Sequence, residues 1–570
     1  MDRVRWIREE SSSTGRTATS KNGRAGGGRP FPACTPVAFM PPCAFPTGRI
    51  HCVHRSSPRV SLRKSHLSMC TASATSPSTT PPAAPASADA PYVRALQRCR
   101  SRVRAPFCCP GHHTNAQRLP TALRQLLSGD PATHPLEVDF AELPELDSLY
   151  GSAGVLKEAQ ERAAQLYGAA RSWFLVNGST GGILAAMMAL ASRASVSNAP
   201  LLVQRNCHRS VFHGLVLTGL SPVYLAPEYD AAHDLVHGVS VSEVERALDA
   251  HADAAGVLLT SPTYHGMVCD VQTVARLCHA RGVPLVVDEA HGAHLGLHSA
   301  LPRSAIQLGA DVVVQSTHKT LTAMTQASML HVAAASCVDA ERIAQALQLM
   351  GTTSPNALLM ASLDATVDML RDEQRREDWF ERALQLAHGA RQRVPVPSLR
   401  SDDPTRLTLL LPPQVDGYRL DERLIERHGV YMEMPARRHS TFIVTGANEA
   451  DHVEALAEAL HESLRSAEVR ADVVAPDTSS DTWLGAFREH RSVMTPREAY
   501  LAPHQNRPLR DAAGAVAAAT VCTYPPGIPL MVPGERISLE AVAFLQQTIA
   551  SGGNVTGLVA DNTAVPVLSV

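Results

Sequence analysis

Short apolar runs, each followed directly by a cluster of polar residues, recur along the chain from about residue 91. They occupy residues 173–176, 201–203, 256–260, 284–287 and 312–314. Apolar stretches of helical length, such as residues 183–191, lie between them. Short buried strands that alternate with helices are typical of a mainly parallel sheet covered by helices on both faces. The pattern therefore predicts an α/β fold in which the polar clusters meet at one edge of the sheet.

The pattern changes after about residue 370, where a smaller α/β portion begins. Residues 371–377 read as a charged helical stretch, residues 407–411 as a strand and residues 449–464 as a helix. Small and polar residues at 475–481 indicate a linker, and two Pro-Gly turns in the last unit indicate a rigid loop. The expected units are a major domain (90–370), a small α/β domain (371–474) and a C-terminal domain (475–570).

Residues 1–89 differ in composition from the rest of the chain. They are rich in Arg, Ser, Thr, Pro and Ala and contain almost no acidic residues after Glu10. Such a composition cannot bury a core, and a positively charged, Ser-rich, acid-poor amino-terminal segment is typical of an organellar transit peptide. The length of the tract and its Ser and Pro content favour a plastid. A mitochondrial transit peptide and a disordered tail on a cytoplasmic protein are the alternatives.

Composition narrows the classes of partner. The 570 residues carry a formal net charge of −2, and 45% are hydrophobic and 19% charged. This near-neutral balance argues against nucleic acid or an anionic membrane as a partner, and no apolar run approaches the length of a transmembrane helix. The 12 cysteines form no CxxC pair and no Cys/His cluster at zinc spacing. We therefore expect no metal site, and ordinary thiols in a reducing compartment.

The use of lysine singles out one position. After residue 90 nearly every positively charged side chain is an arginine, and only Lys157 and Lys319 are lysines. Lys157 lies on an apparent surface helix. Lys319 follows a buried strand, within a run of hydroxyl and histidine residues at 316–320. Because a guanidinium group cannot form an imine, a lysine retained at such a site is a candidate Schiff-base nucleophile.

Asp288 lies at the end of the preceding strand, and two interpretations of it compete. Residues 288–291 spell DEAH, as in a family of helicases, but the chain contains no GxxxxGK[ST] loop for nucleotide phosphates. A carboxylate about thirty residues before a strand-end lysine instead suits pyridoxal phosphate. That cofactor needs a lysine for its aldehyde, a carboxylate for its pyridine nitrogen and donors for its phosphate. A Gly/Ser/Thr turn at 178–182 offers such donors, although the turn alone is a weak signal.

The sequence motifs around Asp288 and Lys319 closely resemble those of the Orn/Lys/Arg decarboxylase family. Members of this family are pyridoxal-phosphate enzymes of the aspartate-aminotransferase fold type (fold type I). The similarity runs from about Phe107 to Gly557. The motifs that carry it lie at residues 110–112, 147–150, 177–180, 261–264, 288–294, 316–320 and 524–529. Two positions depart from the family pattern. His113 stands where the family usually has lysine, and Arg209 stands where it often has lysine, so both changes keep some positive character.

The resemblance implies a role for each matching residue. Lys319 would form the Schiff base, and Asp288 would pair with the pyridine nitrogen. His208 would stack on the ring face, and His291 would lie beside the ring. The phosphate would be held by Ser179, Thr180, Ser316 and His318.

The resemblance also implies decarboxylation of a basic amino acid. Arginine, giving agmatine for polyamine synthesis, is the favoured substrate, because the chain resembles the shorter biosynthetic form that lacks a long amino-terminal domain. Glu535 is a candidate partner for the far end of the substrate, either in its own site or in that of a neighbouring subunit. The alternatives are lysine or ornithine as substrate, another lyase or aminotransferase of the same fold, and a pyridoxal-phosphate-binding regulatory homologue without turnover. The family further implies a homodimer or a higher homo-oligomer.

Overall fold

A computed structural model of the chain describes residues 89–127, 134–194, 196, 198–230, 233–470, 492–524, 527–550 and 552–569. The predicted transit segment, apart from residue 89, and the predicted linker at 475–481 lie outside these residues. No helix in the described part of the chain is both long and apolar enough to cross a lipid bilayer.

The helices and strands are as follows. The helices are Pro91–Arg102 (α1), Thr121–Leu126 (α2), Val155–Tyr167 (α3), Gly178–Ala191 (α4), Arg209–Thr218 (α5), Val241–Ala250 (α6), Val271–Ala280 (α7), Thr317–Thr320 (α8), Ala340–Met350 (α9), Ala357–Arg371 (α10), Glu373–Arg393 (α11), Gly417–Arg423 (α12), Ala450–Ser463 (α13), Pro496–Leu501 (α14) and Leu539–Ala550 (α15). The strands are Arg171–Leu175 (β1), Pro200–Gln204 (β2), Ser221–Leu225 (β3), Tyr229–Asp230 (β4), Leu235–Val236 (β5), Gly256–Thr260 (β6), Leu285–Asp288 (β7), Val312–Gln315 (β8), Ser328–Val332 (β9), Arg406–Leu410 (β10), Met434–Pro435 (β11), His439–Ile443 (β12), His504–Pro508 (β13), Val521–Thr523 (β14), Pro529–Met531 (β15), Val555–Thr556 (β16) and Ala564–Leu568 (β17).

A seven-stranded sheet organises the major part of the chain, with the order β1-β9-β8-β7-β6-β2-β3. The five adjacent strands β8, β7, β6, β2 and β3 are parallel to one another. Strand β9 is antiparallel to both of its neighbours, β1 and β8. The prediction of an α/β fold with a mainly parallel sheet is confirmed.

Apolar residues on both faces of the sheet explain why its strands read as continuous apolar runs. Val313 packs into a core with residues of α1, α3, α6, α7 and α10, whereas Val312 and Val314 pack into a second core with residues of α4, α5 and α9. Successive side chains of a strand point to opposite faces. Since both faces are covered, β7 and β8 are buried along their whole length.

Two smaller units follow the major sheet. An antiparallel sheet, β10-β12-β11, shares a core with α11 and α13. The last unit contains the sheets β15-β14-β16 and β13-β17, and α15 packs into its core. The charged stretch predicted as helix at 371–377 is in fact a junction of two helices. Asp372 separates them, and its carboxylate caps α11 by accepting a hydrogen bond from the Arg375 backbone N–H at 3.0 Å.

Candidate active site

A cavity lies beyond the carboxyl ends of the parallel strands. The residues that follow β1, β2, β6, β7 and β8 contribute to its wall, as expected for an open α/β sheet. From the sheet side it is lined by Ser179, His208, Tyr264, Asp288, His291 and Lys319. The later units and the β4–β5 hairpin contribute Asp234, Tyr418, Arg437, His439, Phe544 and Gln547. The polar clusters that the sequence pattern predicted at one edge therefore meet in one site.

Lys319 enters the cavity from α8, a single helical turn directly after β8. Its Nζ atom lies 2.9 Å from Nε2 of His291 and 5.7 Å from the ring centre of Tyr264. Burial lowers the pKa of Lys319, while the negative charges of Asp288 and Glu433 oppose this shift. The amine is thus more readily deprotonated than an exposed lysine, which is what a nucleophilic amine requires.

Asp288 is the last residue of β7 and is only 3% exposed. Its carboxylate accepts a hydrogen bond from the Ala290 backbone N–H at 3.2 Å. Burial raises the pKa of Asp288, and the nearby Lys319 acts in the opposite direction. A carboxylate in this position gains most from a cationic partner inside the cavity, such as a protonated pyridine nitrogen.

His291 lies between the lysine and the small sheet. Its ring packs against Tyr264 with the centroids 4.2 Å apart, and its backbone oxygen accepts a hydrogen bond from Arg406 at 2.7 Å. Burial and the positive charge of Lys319 hold the pKa of His291 well below its ordinary value, so the ring is neutral. Its Nδ1 atom is buried and has no hydrogen-bond partner among the described residues. Buried polar atoms normally have a hydrogen-bond partner, so we expect a ligand in the cavity to supply one.

His208 occupies the N-cap position of α5 and lines the cavity. Its Nδ1 atom accepts a hydrogen bond from the Ser210 backbone N–H at 3.2 Å. Burial, together with the charge of Lys319, lowers the pKa of His208 to about 3. A neutral aromatic ring with a fixed orientation can stack on a flat cofactor.

The predicted phosphate-binding residues separate into two groups. Ser179, in the first turn of α4, lines the cavity, and its Oγ atom accepts a hydrogen bond from Ser316 Oγ at 2.9 Å. Thr180, Ser316 and His318 are not part of the cavity wall, although Ser316 contacts Ser179 from behind it. His318 Nδ1 is hydrogen-bonded to the Ala327 carbonyl oxygen at 2.9 Å, so that atom is already used. The N-terminus of α4 with Ser179 and Ser316 is therefore the anion-binding element that the geometry supports best.

Glycine at position 182 lets α4 approach the sheet. A Cβ atom there would lie 2.7 Å from Leu175 Cδ1 and 2.7 Å from Val314 Cγ1, too close for a real contact. The strand-to-helix turn at 178–182 therefore needs its glycines partly for packing, besides any role with an anion.

Glu535 is not among the described residues that line the cavity of its own chain, and its contact with the substrate of a neighbouring subunit stays a prediction. Glu535 is 4% exposed, and its Oε2 atom lies 3.1 Å from a terminal nitrogen of Arg205. Arg205 also donates a hydrogen bond to the Pro529 carbonyl oxygen at 2.6 Å. This buried pair joins the last unit to the residues that follow β2. Its geometry fits a structural role.

Three features of the site were not predicted from the sequence, namely Tyr264 and Asp234 in the cavity wall and Arg406 on the backbone of His291. Tyr264 belongs to a motif that was quoted for the resemblance, but nothing in the motif showed that its ring would pack on His291. Arg406 and Asp234 carried no linear signal, because their neighbours in space are distant in the chain. A fully buried arginine in a strand, as at Arg406, becomes conspicuous only when burial is known.

Together these groups fit pyridoxal phosphate. The cavity offers an amine of lowered pKa, a buried carboxylate, a neutral stacking ring, a helix N-terminus with the Ser179 hydroxyl, and the unpartnered Nδ1 atom of His291.

Comparison with known proteins gives three consistent findings. Residues 90–448 match the family described as Orn/Lys/Arg decarboxylase, major domain, and residues 485–562 match its C-terminal domain. The chain is 35% identical over 479 residues to the uncharacterized protein YaaO of Bacillus subtilis strain 168, with 82% of this chain and 96% of that protein covered. It is 33% identical over 466 residues to an arginine decarboxylase of Halalkalibacterium halodurans, with 79% and 91% covered.

A solved structure shows the same fold. The lysine decarboxylase LdcF of Francisella novicida superposes with a TM-score of 0.70 at 20% sequence identity, covering 85% of this chain and 82% of that chain. At this identity the likeness concerns the fold.

Proposed function

The chain belongs to the Orn/Lys/Arg decarboxylase family, and from this premise we propose that it converts arginine to agmatine with pyridoxal phosphate as cofactor. The family and the decarboxylase relatives identify the protein as a decarboxylase that acts on a basic amino acid. The choice of arginine is supported by the relative from Halalkalibacterium halodurans, whose name states that activity. Lysine and ornithine are the competing substrates.

One observation carries the proposed chemistry. Lys319 Nζ, His291 Nε2 and the Asp288 carboxylate come from neighbouring strand ends and meet in one cavity. The bound cofactor supplies an electron sink for the pair of electrons released when the bond between Cα and the carboxylate breaks.

The chain's own residues then have distinct tasks. Lys319 would hold the cofactor through its Nζ atom and would release it to the α-amine of the substrate. Asp288 would face the pyridine nitrogen and stabilise positive charge there, which favours movement of electron density into the ring. His208 would pack against the ring.

Decarboxylation consumes one proton, which must reach Cα after carbon dioxide leaves. Lys319 Nζ and His291 Nε2 share a hydrogen bond and both face the cavity, so they are the groups placed to deliver it. Tyr264, packed against His291, helps to keep this pair out of bulk water.

The test is direct. The purified full-length chain is loaded with pyridoxal phosphate and incubated separately with arginine, lysine and ornithine, and both carbon dioxide and the amine product are measured. We expect agmatine and carbon dioxide in equal amounts from arginine, with kcat/KM for lysine and ornithine at least tenfold lower. Preference for lysine or ornithine would contradict the substrate assignment. Transamination without carbon dioxide would contradict the reaction.

We also propose that residues 1–89 direct the protein to plastids, and that the agmatine formed enters polyamine synthesis. The support is the positive, Ser-rich and acid-poor composition of this segment. Fused to a fluorescent protein in cells that contain plastids and mitochondria, residues 1–89 should give plastid fluorescence. Fluorescence in mitochondria or cytosol would contradict the assignment.

We further propose that the active unit is a homo-oligomer, as in the resemblance above. Light scattering on the purified protein should give at least twice the mass of one chain.

A further inference from the structure

A second carboxylate faces the cavity from outside the sheet. Asp234 lies directly before β5, in the short hairpin that β4 and β5 form after the edge strand β3. It lines the same cavity as Lys319. The sequence pattern gave no sign of this role, because the hairpin is too short to produce a periodic signal.

Asp234 differs from the other acid of the cavity in what surrounds it. Among the described residues that line the cavity, only Asp288 and Asp234 carry a carboxylate. The charge of Lys319 lowers the pKa of Asp288, whereas the charges of Arg437 and Arg438 lower the pKa of Asp234. The two carboxylates reach the cavity from different elements, Asp288 from the end of β7 and Asp234 from the β4–β5 hairpin.

The side chain of Asp234 is held in place. The Tyr229 hydroxyl donates a hydrogen bond to its Oδ1 atom at 2.7 Å. Its backbone has φ 56°, in the left-handed region that non-glycine residues seldom adopt. Residues held in such conformations are concentrated at ligand-binding sites.

The positive charges of Arg437 and Arg438 do not fully offset the effect of burial on the Asp234 carboxylate. With the Gln547 amide oriented so that its oxygen faces Arg437, that oxygen accepts hydrogen bonds from both terminal nitrogens of Arg437 at 2.6 and 3.1 Å. Burial raises the pKa of Asp234 to about 6 in spite of the two arginines, so near neutral pH the group is mostly an anion that has lost part of its water. Such an anion binds a cation strongly.

We propose that Asp234 binds the positively charged distal end of the substrate side chain, an assignment that rests on the proposed decarboxylation of a basic amino acid. The α-amine and α-carboxylate of the substrate react beside Lys319 and Asp288. The guanidinium or ammonium group at the other end of the side chain meets Asp234. Asp234 is thus the residue that selects a basic amino acid over a neutral one of similar length.

A role in balancing the charge of Arg437 and Arg438 is the competing explanation. The two roles differ in one measurable respect. A residue that binds the distal cation affects only ligands that carry such a cation. A residue that balances charge affects the cavity for every ligand.

The experiment compares cofactor-loaded wild type with Asp234→Asn and Asp234→Glu. KM and kcat are measured with the best basic substrate, and inhibition constants are measured for norleucine, which has the same α-groups but no distal cation. For Asp234→Asn we expect KM to rise about 10- to 100-fold, as when one partner of a buried charged pair is removed. We expect kcat within about threefold of wild type, the norleucine constant and cofactor absorbance unchanged, and Asp234→Glu to recover part of the affinity.

The matched control is Asp249→Asn. Asp249 lies on α6 and forms an exposed surface pair with Arg281, so this change removes the same charge from the protein surface. It should alter none of these constants. If Asp234→Asn fails to fold, Tyr229→Phe decides the question. Loss of the hydroxyl frees the carboxylate and should raise KM several-fold for the basic substrate alone.

An unchanged KM in Asp234→Asn would overturn the assignment, and so would a norleucine constant that weakens in proportion. Failure of the proposed function is recognised separately, by absence of carbon dioxide from wild type with arginine, lysine and ornithine. In that case calorimetric titration with agmatine, cadaverine and putrescine still decides the role of Asp234. Binding weakened by Asp234→Asn supports it, and equal or absent binding overturns it.

Discussion

The Nζ atom of Lys319 and the Nε2 atom of His291 are 2.9 Å apart in the cavity at the carboxyl end of the sheet. Burial lowers the pKa of both groups, so each gives up a proton more readily than it would in water. A neutral amine can react with an aldehyde, and a neutral imidazole can accept or return a proton. The contact therefore links covalent attachment of a cofactor with proton transfer.

Lys319→Ala should abolish turnover, because the alanine side chain cannot bind the cofactor covalently or deliver a proton. The visible absorbance of the lysine-bound cofactor should disappear as well. Spectra and carbon dioxide release measure the two effects. Lys157→Ala is the matched control, since Lys157 is exposed and pairs only loosely with Glu161 at 3.8 Å. Activity retained in Lys319→Ala would refute the role of this lysine.

His291→Gln should lower kcat by about 10²- to 10⁴-fold, in the range lost with a general acid or base. Cofactor absorbance should persist, because Lys319 and Asp288 remain. The pH at which that absorbance changes should shift, since the neighbour of Lys319 has been replaced. His388→Gln, on the exposed face of α11, should have no effect. An unaltered kcat would exclude His291 from proton transfer.

Glu535→Gln should weaken the fold and leave substrate affinity alone. The change removes the negative charge that faces the buried Arg205, which costs on the order of 3 kcal/mol in free energy of unfolding. The midpoint of denaturant unfolding should fall, with KM equal to that of wild type. A raised KM at unchanged stability would instead return Glu535 to the substrate site, by way of a neighbouring subunit.

The stability of the protein should depend on pH through Glu289. This residue is 1% exposed and accepts hydrogen bonds from Gln315 at 2.7 Å and from the Ala305 backbone N–H at 2.7 Å. Burial raises its pKa from 4.5 to about 7. An acid whose pKa is raised by folding contributes stability that is fully present below its unfolded pKa and is lost as pH rises through the folded value.

Glu289→Gln removes this dependence, because glutamine cannot ionise. The free energy of unfolding of the variant minus that of wild type should therefore increase between pH 5 and pH 8, by up to about 3 kcal/mol. Denaturant unfolding at several pH values measures it. Taking the difference cancels the other titrating groups, and a difference that stays constant with pH would refute the shifted pKa.

Local patterns were sufficient to predict the strands and the residues at their ends. Val312–Val314 is a strand because both of its faces are buried, and Lys319 follows it by a few residues, so sequence proximity already placed the lysine near the strand end. Asp288 was found in the same way. These inferences need only the period of a strand and the chemistry of one side chain.

Contacts between distant segments could not be predicted. Arg406 meets the backbone of His291, 115 residues earlier, and Arg205 meets Glu535, 330 residues later. The sequence showed an acidic residue after a Pro-Gly turn, but it held no information on which cation that residue would meet. A ligand-binding role was therefore predicted for Glu535, whereas its buried pair with Arg205 could not be foreseen. Asp234 was overlooked for the same reason.

The β4–β5 hairpin has a consequence for how such an enzyme could diversify. Reactive groups are built into a buried sheet, where most substitutions would damage the whole fold. Asp234 stands on a hairpin of two-residue strands, where insertions and deletions are tolerated. If the hairpin sets the distance to the distal cation, then adding or removing a residue there would retune the enzyme between shorter and longer substrates. The reaction catalysed and the length of the substrate side chain accepted would then be able to change independently of each other.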